Sequence, residues 1–273
     1  MTNIPFAKKS LGQHWLQDAG ALEAMCEAAE VQLEDVVLEI GPGFGTLTKH
    51  LLEWEAKVIA LEFDETLVAP LQQKFSLAAK AGQFEIIQGD IRTFDFTALP
   101  TDYKIVANIP YYLTSNLIQL LSETSNPPSV AALLVQKEVA ERVAAGPGAM
   151  SILSVTAQFY WEVSLGPVIP AKLFSPPPKV DSQILILQRR PEVAVADVNV
   201  KDFFRLVKAG YSQKRKTLLN SLSGGLQLDK AVVTEICDKA GIETGRRAQT
   251  LHMSEWSLLY KAYNQTINTS ATA

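Results

Sequence analysis

Apolar positions along the chain follow two rhythms, short runs rich in Val, Ile and Leu and longer stretches with apolar residues three or four apart. The first marks a strand and the second an amphipathic helix. Strands are predicted at 36–40, 58–63, 84–88, 104–107 and 131–135, each ending where polar or glycine-rich residues begin. Between them, 46–54, 65–79 and 115–122 carry helical spacing, and Asp18 is placed to cap a helix running to Glu30. Such alternation builds a parallel sheet covered on both faces, an α/β doubly wound core. A further strand at 183–188 follows the proline-rich segment 175–179. Beyond Pro191 strand signals vanish, and helical spacing returns around Phe203, Leu218, Val232 and Leu258. Two domains are therefore expected, 1–190 and a small all-helical 191–273, with the linker at 190–197.

Composition adds exclusions. With 47% hydrophobic and 20% charged residues, the 273-residue chain has an ordinary globular balance. No apolar run reaches bilayer-spanning length and no apolar stretch follows the N-terminal lysines, so no membrane partner and a cytoplasmic location are expected. Cys26 and Cys237 are too far apart in sequence for a disulfide framework and read as small buried apolar residues. His14, His50 and His252 are too scattered for a metal site, so no metal is expected. A net charge of −4 speaks against a polyanionic partner, but its distribution does not. Lys201, Arg205, Lys208, Lys214, Arg215 and Lys216 cluster against one acid, Asp202; Arg246 with Arg247 and Lys8 with Lys9 add two more basic steps. Solvated helix faces would leave the same trace, but three clusters lean toward RNA.

In a doubly wound sheet, ligands bind beyond the C-terminal strand ends. After the first predicted strand comes Gly41-Pro42-Gly43-Phe44-Gly45, where small residues let backbone amides approach a ligand at a helix N-terminus, although such a turn also serves merely to connect. The second ends at Glu62, an acid able to accept from a ribose diol or simply to face solvent. The third ends at Gly89-Asp90, a carboxylate placed to accept from the amino group of a bound adenine. Phe63 and Ile91 are positioned either to clamp that ring or to fill core.

The fourth strand runs into Asn108-Ile109-Pro110-Tyr111. An adenine N6 is a poor nucleophile because its lone pair is delocalised into the ring; two acceptors gripping its hydrogens favour charge build-up as it attacks a methyl. Asn108 supplies a side-chain carbonyl and Ile109 a backbone carbonyl. Pro110 stiffens both, and Tyr111 can stack on an extruded base. Tyr112 reads as a local packing residue.

These residues resemble the bacterial KsgA-type family of small-subunit ribosomal RNA adenine dimethyltransferases. The resemblance runs through Lys9-Ser10-Leu11-Gly12-Gln13-His14-Trp15-Leu16, the glycine segment 37–48, Asn108–Tyr111, segments 136–142 and 174–182, and Lys214-Arg215-Lys216-Thr217-Leu218. One departure is Trp15, where the family usually carries Phe. The resemblance implies a Rossmann-like class I methyltransferase fold, S-adenosylmethionine as cofactor, and contacts to it from His14, Leu16, Gly41, Glu62, Asp90 and Asn108. It also implies catalysis by Asn108 and Tyr111, with Phe174 stacking on the base from the far side; a phenylalanine before prolines otherwise simply packs on the sheet. The substrate implied is a pair of adjacent adenines, each dimethylated, in a hairpin loop near the 3′ end of 16S rRNA. The partner is an immature small subunit, and a monomer is expected. Two other readings are a large-subunit rRNA adenine methyltransferase and a small-subunit assembly factor acting mainly by binding.

Overall fold

The computed structural model describes residues 14–271, with side chains to 267; Lys8, Lys9 and the motif positions before His14 lie outside the described residues. The chain opens with β1 (Trp15–Leu16), α1 (Ala19–Ala28), β2 (Val36–Ile40), α2 (Thr46–Glu53) and β3 (Lys57–Glu62). It continues through α3 (Glu65–Lys74), α4 (Ser76–Lys80), β4 (Phe84–Gln88), β5 (Lys104–Asn108), α5 (Thr114–Glu123) and β6 (Val130–Gln136). Next come α6 (Lys137–Val143), α7 (Ile152–Tyr160), β7 (Trp161–Ile169), β8 (Phe174–Ser175) and β9 (Ser182–Arg189). Four helices follow: α8 (Val200–Tyr211), α9 (Leu218–Leu226), α10 (Lys230–Ala240) and α11 (Met253–Ala271).

The main sheet has the order β4-β3-β2-β5-β6-β9-β7. The five strands from β4 to β6 run parallel, as alternation with helices requires, and β9 closes antiparallel on β6 with Leu133 opposite Leu185. Val37, Val58, Ala60, Val106 and Ala132 point into one core with Leu22, Met25 and Cys26 of α1 and Leu47 and Leu51 of α2. Their alternates Leu38, Ile105, Ala107 and Leu133 are equally buried, so both faces of the sheet are covered. Asp18 caps α1 as its spacing indicates, accepting from Ala21 N at 2.9 Å. The helix expected over 65–79 is interrupted at Phe75, whose backbone leaves helical geometry while its ring turns inward. A side chain at Gly45 would stand 2.5 Å from that ring, so the glycine and the interruption are one packing solution.

Compact units divide the chain in a way that single-boundary reading does not express. One holds the chain to Glu141 plus Glu162–Arg189; the other holds Arg142–Trp161 plus the chain from Arg190. The 142–161 segment belongs with the helical unit because the Phe159 ring stacks on Phe203 of α8 (4.9 Å between centroids) and the Phe159 carbonyl accepts from Ala194 N at 2.8 Å. Trp256, Tyr260, Leu206 and Leu222 complete that core. The strand β7 carries no clear sequence signal because it is an edge strand: Gly166 and Pro167 interrupt it, and only its ends, Trp161 and Ile169, are buried. Among the described residues no helix is long and apolar enough to cross a membrane.

Candidate active site

Strand order reverses between β2 and β5, and a cleft opens at their C-terminal ends. His14, Leu16, Gly41, Gly43, Glu62, Phe63, Asp90, Ile91, Asn108, Ile109, Pro110 and Tyr111 all line it, gathered from the ends of β2, β3, the β4 turn, β5 and the strand β1.

The cleft floor is the glycine loop. Gly41 and Gly43 adopt φ of +70° and +57°, left-handed conformations that side chains resist. A Cβ at Gly41 would meet nothing within 4 Å, so that glycine answers to backbone geometry and leaves open space above it. At Gly43 a Cβ would lie 3.0 Å from Trp15, so the indole that departs from the family's Phe occupies the space beside this glycine and packs on Phe44. Thr46 Oγ1 donates to Leu16 O at 2.9 Å, tying β1 to the start of α2.

Glu62 is 5% exposed and already anchored: Gly43 N donates to Oε2 at 3.2 Å and Asp64 N to Oε1 at 2.7 Å. Each oxygen keeps a second acceptor position, so a diol fits without displacing either amide. Burial raises its carboxyl pKa, and the backbone amides of Asp64, Gly43 and Phe63 pull the other way. Glu39, two positions before Gly41 and given no role by sequence reasoning, also lines the cleft. It is fully buried, accepts from Thr48 Oγ1 at 2.6 Å, and is pushed by burial, reinforced by Glu62, up to about 8. Phe63 is 54% exposed and Ile91 only 5%, so an adenine ring would meet one open aromatic face and one apolar wall. Asp90 caps the turn after β4 and is held below the usual carboxylate range by the Arg92 guanidinium.

At the other end, Asn108 Nδ2 donates to the His14 carbonyl at 2.9 Å. Only the amide nitrogen can serve that carbonyl, so Oδ1 is the edge left for the cleft. Pro110 (φ −57°, ψ 131°) leads into a single turn in which Leu113 N donates to Pro110 O and Thr114 Oγ1 to Tyr111 O. The Tyr111 hydroxyl and Ser182 Oγ lie 2.8 Å apart, and burial raises the phenol pKa. The His14 ring stacks near Tyr111 at 6.0 Å and its Nδ1–H donates to Pro176 O at 2.8 Å. Tyr112 does not pack locally as its sequence position suggests: it is 63% exposed at the cleft rim.

Phe174 is the correction. It is 4% exposed, sits in the core of its unit within β8 opposite Leu16, and is absent from the cleft wall. The aromatic sandwich implied by family resemblance is therefore not formed by these residues as they stand. Packing on the sheet, which burial of a phenylalanine favours by about 1.5–3 kcal/mol, is what the structure shows. A second correction concerns the basic clusters. Arg246 binds both carboxylate oxygens of Glu255 and donates to Thr250 O at 2.8 Å, so its charge is committed to holding α11 against the preceding turn. Lys201, Arg205 and Lys208 are exposed along one face of α8, and Lys214, Arg215 and Lys216 are exposed beyond its end.

The cleft fits S-adenosylmethionine by the chemistry of its donor set. It offers an anchored carboxylate for a diol, an apolar slot for a purine, an open glycine floor, and an amide oxygen facing the same space. Among the described residues no cluster of side chains suits a metal ion.

Comparison with known proteins agrees. The family model described as ribosomal RNA adenine dimethylase matches residues 6–258. A protein of Dehalococcoides mccartyi named ribosomal RNA small subunit methyltransferase A is 40% identical over 262 residues, covering 95% of this chain and 89% of that protein. Among solved structures, a dimethyladenosine transferase from Plasmodium falciparum superposes with a TM-score of 0.78 at 27% identity, covering 93% of this chain and 98% of that one. The 23S rRNA methyltransferase ErmE gives 0.74 at 26% identity, covering 92% of this chain and all (100%) of that one. The cleft at the β2/β5 reversal, its amide-bearing turn and these relatives converge: the chain belongs to the ribosomal RNA adenine dimethylase family.

Proposed function

We propose that this protein dimethylates the N6 amines of two adjacent adenines in a hairpin loop near the 3′ end of small-subunit (16S) rRNA, acting as a cytoplasmic monomer on an immature subunit. The observation that carries the chemistry is the Asn108 amide in the cleft wall, held by its nitrogen on His14 O, which leaves the oxygen available as an acceptor. Small-subunit rRNA is favoured over large-subunit rRNA because the 40%-identical relative bears the small-subunit name, whereas ErmE, the 23S enzyme, is 26% identical.

When bound, S-adenosylmethionine supplies an electrophilic methyl on a sulfonium. The chain's residues do the rest. Glu62 holds the ribose diol, Phe63 and Ile91 flank the adenine ring and Asp90 accepts from its amino group; His14, Leu16, Gly41 and Gly43 bound the remaining length of the cofactor. Asn108 Oδ1 and the Ile109 carbonyl accept the two amino hydrogens of the target adenine and concentrate its lone pair on nitrogen. Pro110 keeps both acceptors in place before substrate arrives. Tyr111 stacks on the extruded base, its ring set by Ser182. No general base precedes attack, because the neutral amine is the nucleophile and its proton leaves to water. After the first methyl one hydrogen remains, so one acceptor contact suffices for the second. The exposed basic face of α8 and the 214–216 step bind phosphates, and a loop substrate lowers the cost of extruding a base.

Replacing Asn108 with Ala tests the assignment. Transfer to small-subunit RNA should fall about 10²–10³-fold, as for removal of one preorganised polar group at a reacting centre, while cofactor affinity falls far less. Equal losses in both would overturn the catalytic role. An Asn108→Ala strain that assembles subunits like wild type, beside a deletion that does not, would favour the assembly-factor reading instead.

A further inference from the structure

At the adenine end of the cleft, both carboxylate oxygens of Asp90 are already engaged by Arg92. Its Oδ1 accepts from the Arg92 backbone N at 2.9 Å and from Arg92 Nε at 3.0 Å. Its Oδ2 accepts from Nε at 2.9 Å and from Nη2 at 2.5 Å. Three N–H groups thus engage the carboxylate, the single Nε–H bridging both of its oxygens, so a new donor must compete with the guanidinium. The guanidinium itself is loosely held, for the Arg92 side chain is 60% exposed and rises from a three-residue turn. Arg92 also borders a second cavity, walled on its far side by Asn116, Gln119, Leu120 and Glu123 of α5. Glu123 is exposed there and bonded to Gln119 at 2.9 Å, a carboxylate able to receive the same guanidinium.

We propose that Arg92 is a gating residue for the adenine subsite. It neutralises Asp90 while the cleft is empty and turns into the α5 cavity, toward Glu123, when the cofactor's amino group takes its place. The inference rests on the reading above that Asp90 accepts from that amino group. Its consequence is a discrimination device: a ligand displaces the guanidinium only if it brings a hydrogen-bond donor of its own, so purines without the amino group find the carboxylate still closed. A second consequence is the sign of the salt effect. Screening weakens the exposed Arg92–Asp90 pair, so raising ionic strength should tighten binding of a ligand with no net charge, opposite to the trend for charge-driven binding.

The test is calorimetric titration of the intact protein with S-adenosylhomocysteine and with its analogue lacking the 6-amino group, at low and high salt. Wild type should prefer the amino ligand and bind it more tightly at high salt. Arg92→Ala should bind the amino ligand about three- to fivefold more tightly at low salt, the range an exposed bidentate pair supports, and should lose the salt gain. Arg92→Lys, a point charge that cannot grip both oxygens, should fall between. Glu123→Gln should weaken the amino ligand severalfold and leave the deamino ligand unchanged. If Arg92→Ala binds the amino ligand equally or more weakly, with thermal unfolding unchanged, the gate is overturned; an unaltered Glu123→Gln overturns the landing place in α5. If wild type fails to distinguish the two ligands, the reading of Asp90 itself is overturned, a result separable from failure of the gate.

Discussion

The two ends of the cleft are held in opposite ways. At the methyl end each working group is pinned through an atom it does not use: Asn108 by its nitrogen on His14 O, Tyr111 by its hydroxyl at Ser182. The Tyr111 ring also has the His14 ring stacked near it at 6.0 Å, so the end is set before substrate arrives. At the adenine end Asp90 is held through the very oxygens it would use. In the proposed reading, preorganisation serves the reacting centre, where misplacement slows chemistry, while Arg92 closes the recognition end until a correct ligand displaces it.

The comparison can be broken most forcefully at Phe174, buried in β8 opposite the cleft residue Leu16. Phe174→Ala should cost about 3–5 kcal/mol of stability, read from the urea midpoint, because a buried aromatic leaves a cavity. Phe174→Leu should retain most stability and most methyl transfer; a large loss of kcat in a stable Leu variant would show that the ring turns out to meet the base after all.

Between the two ends lies Glu39. Burial first, and then the charge of Glu62, pushes its carboxyl up to about 8. A raised folded-state pKa means stability is complete below the unfolded value and is lost as pH rises through the folded one. Wild type and Glu39→Gln should therefore match below about pH 4.5 and separate by on the order of 5 kcal/mol in favour of Gln above pH 8. A gap that stays flat across that window would place a cation beside Glu39.

The smallest effect is at Ser182. Ser182→Ala removes one hydroxyl contact to Tyr111, so kcat should fall severalfold, by about 1 kcal/mol, with cofactor affinity untouched. Tyr111→Phe should reproduce that loss and not add to it in the double variant. An additive pair would mean the two hydroxyls act separately and the methyl end is less coupled than its geometry indicates.

Much of this was legible in sequence. Strands β2 and β4 occupy the span that hydrophobic patterning predicts, and β3, β5, β6 and β9 differ only at their ends, because a short β-rich apolar run with flanking turns is a local signal. The residues after those strands meet in one cleft because a parallel sheet aligns its C-terminal ends. Edge strand β7 was not legible, since Gly166 and Pro167 interrupt it and only its two ends are buried, which leaves no apolar alternation.

What the chain by itself determined is the order of elements, the glycine loop, the amide turn and the family to which they point, all of which depend on neighbours within a few positions. Tertiary structure alone decided that 142–161 joins the helical unit, that Phe174 is sealed in the core, that Arg246 is spent on Glu255 and that Arg92 closes Asp90. In each case the side chain had two chemically sensible partners, and the choice between them depends on distances set by packing, which sequence spacing does not record.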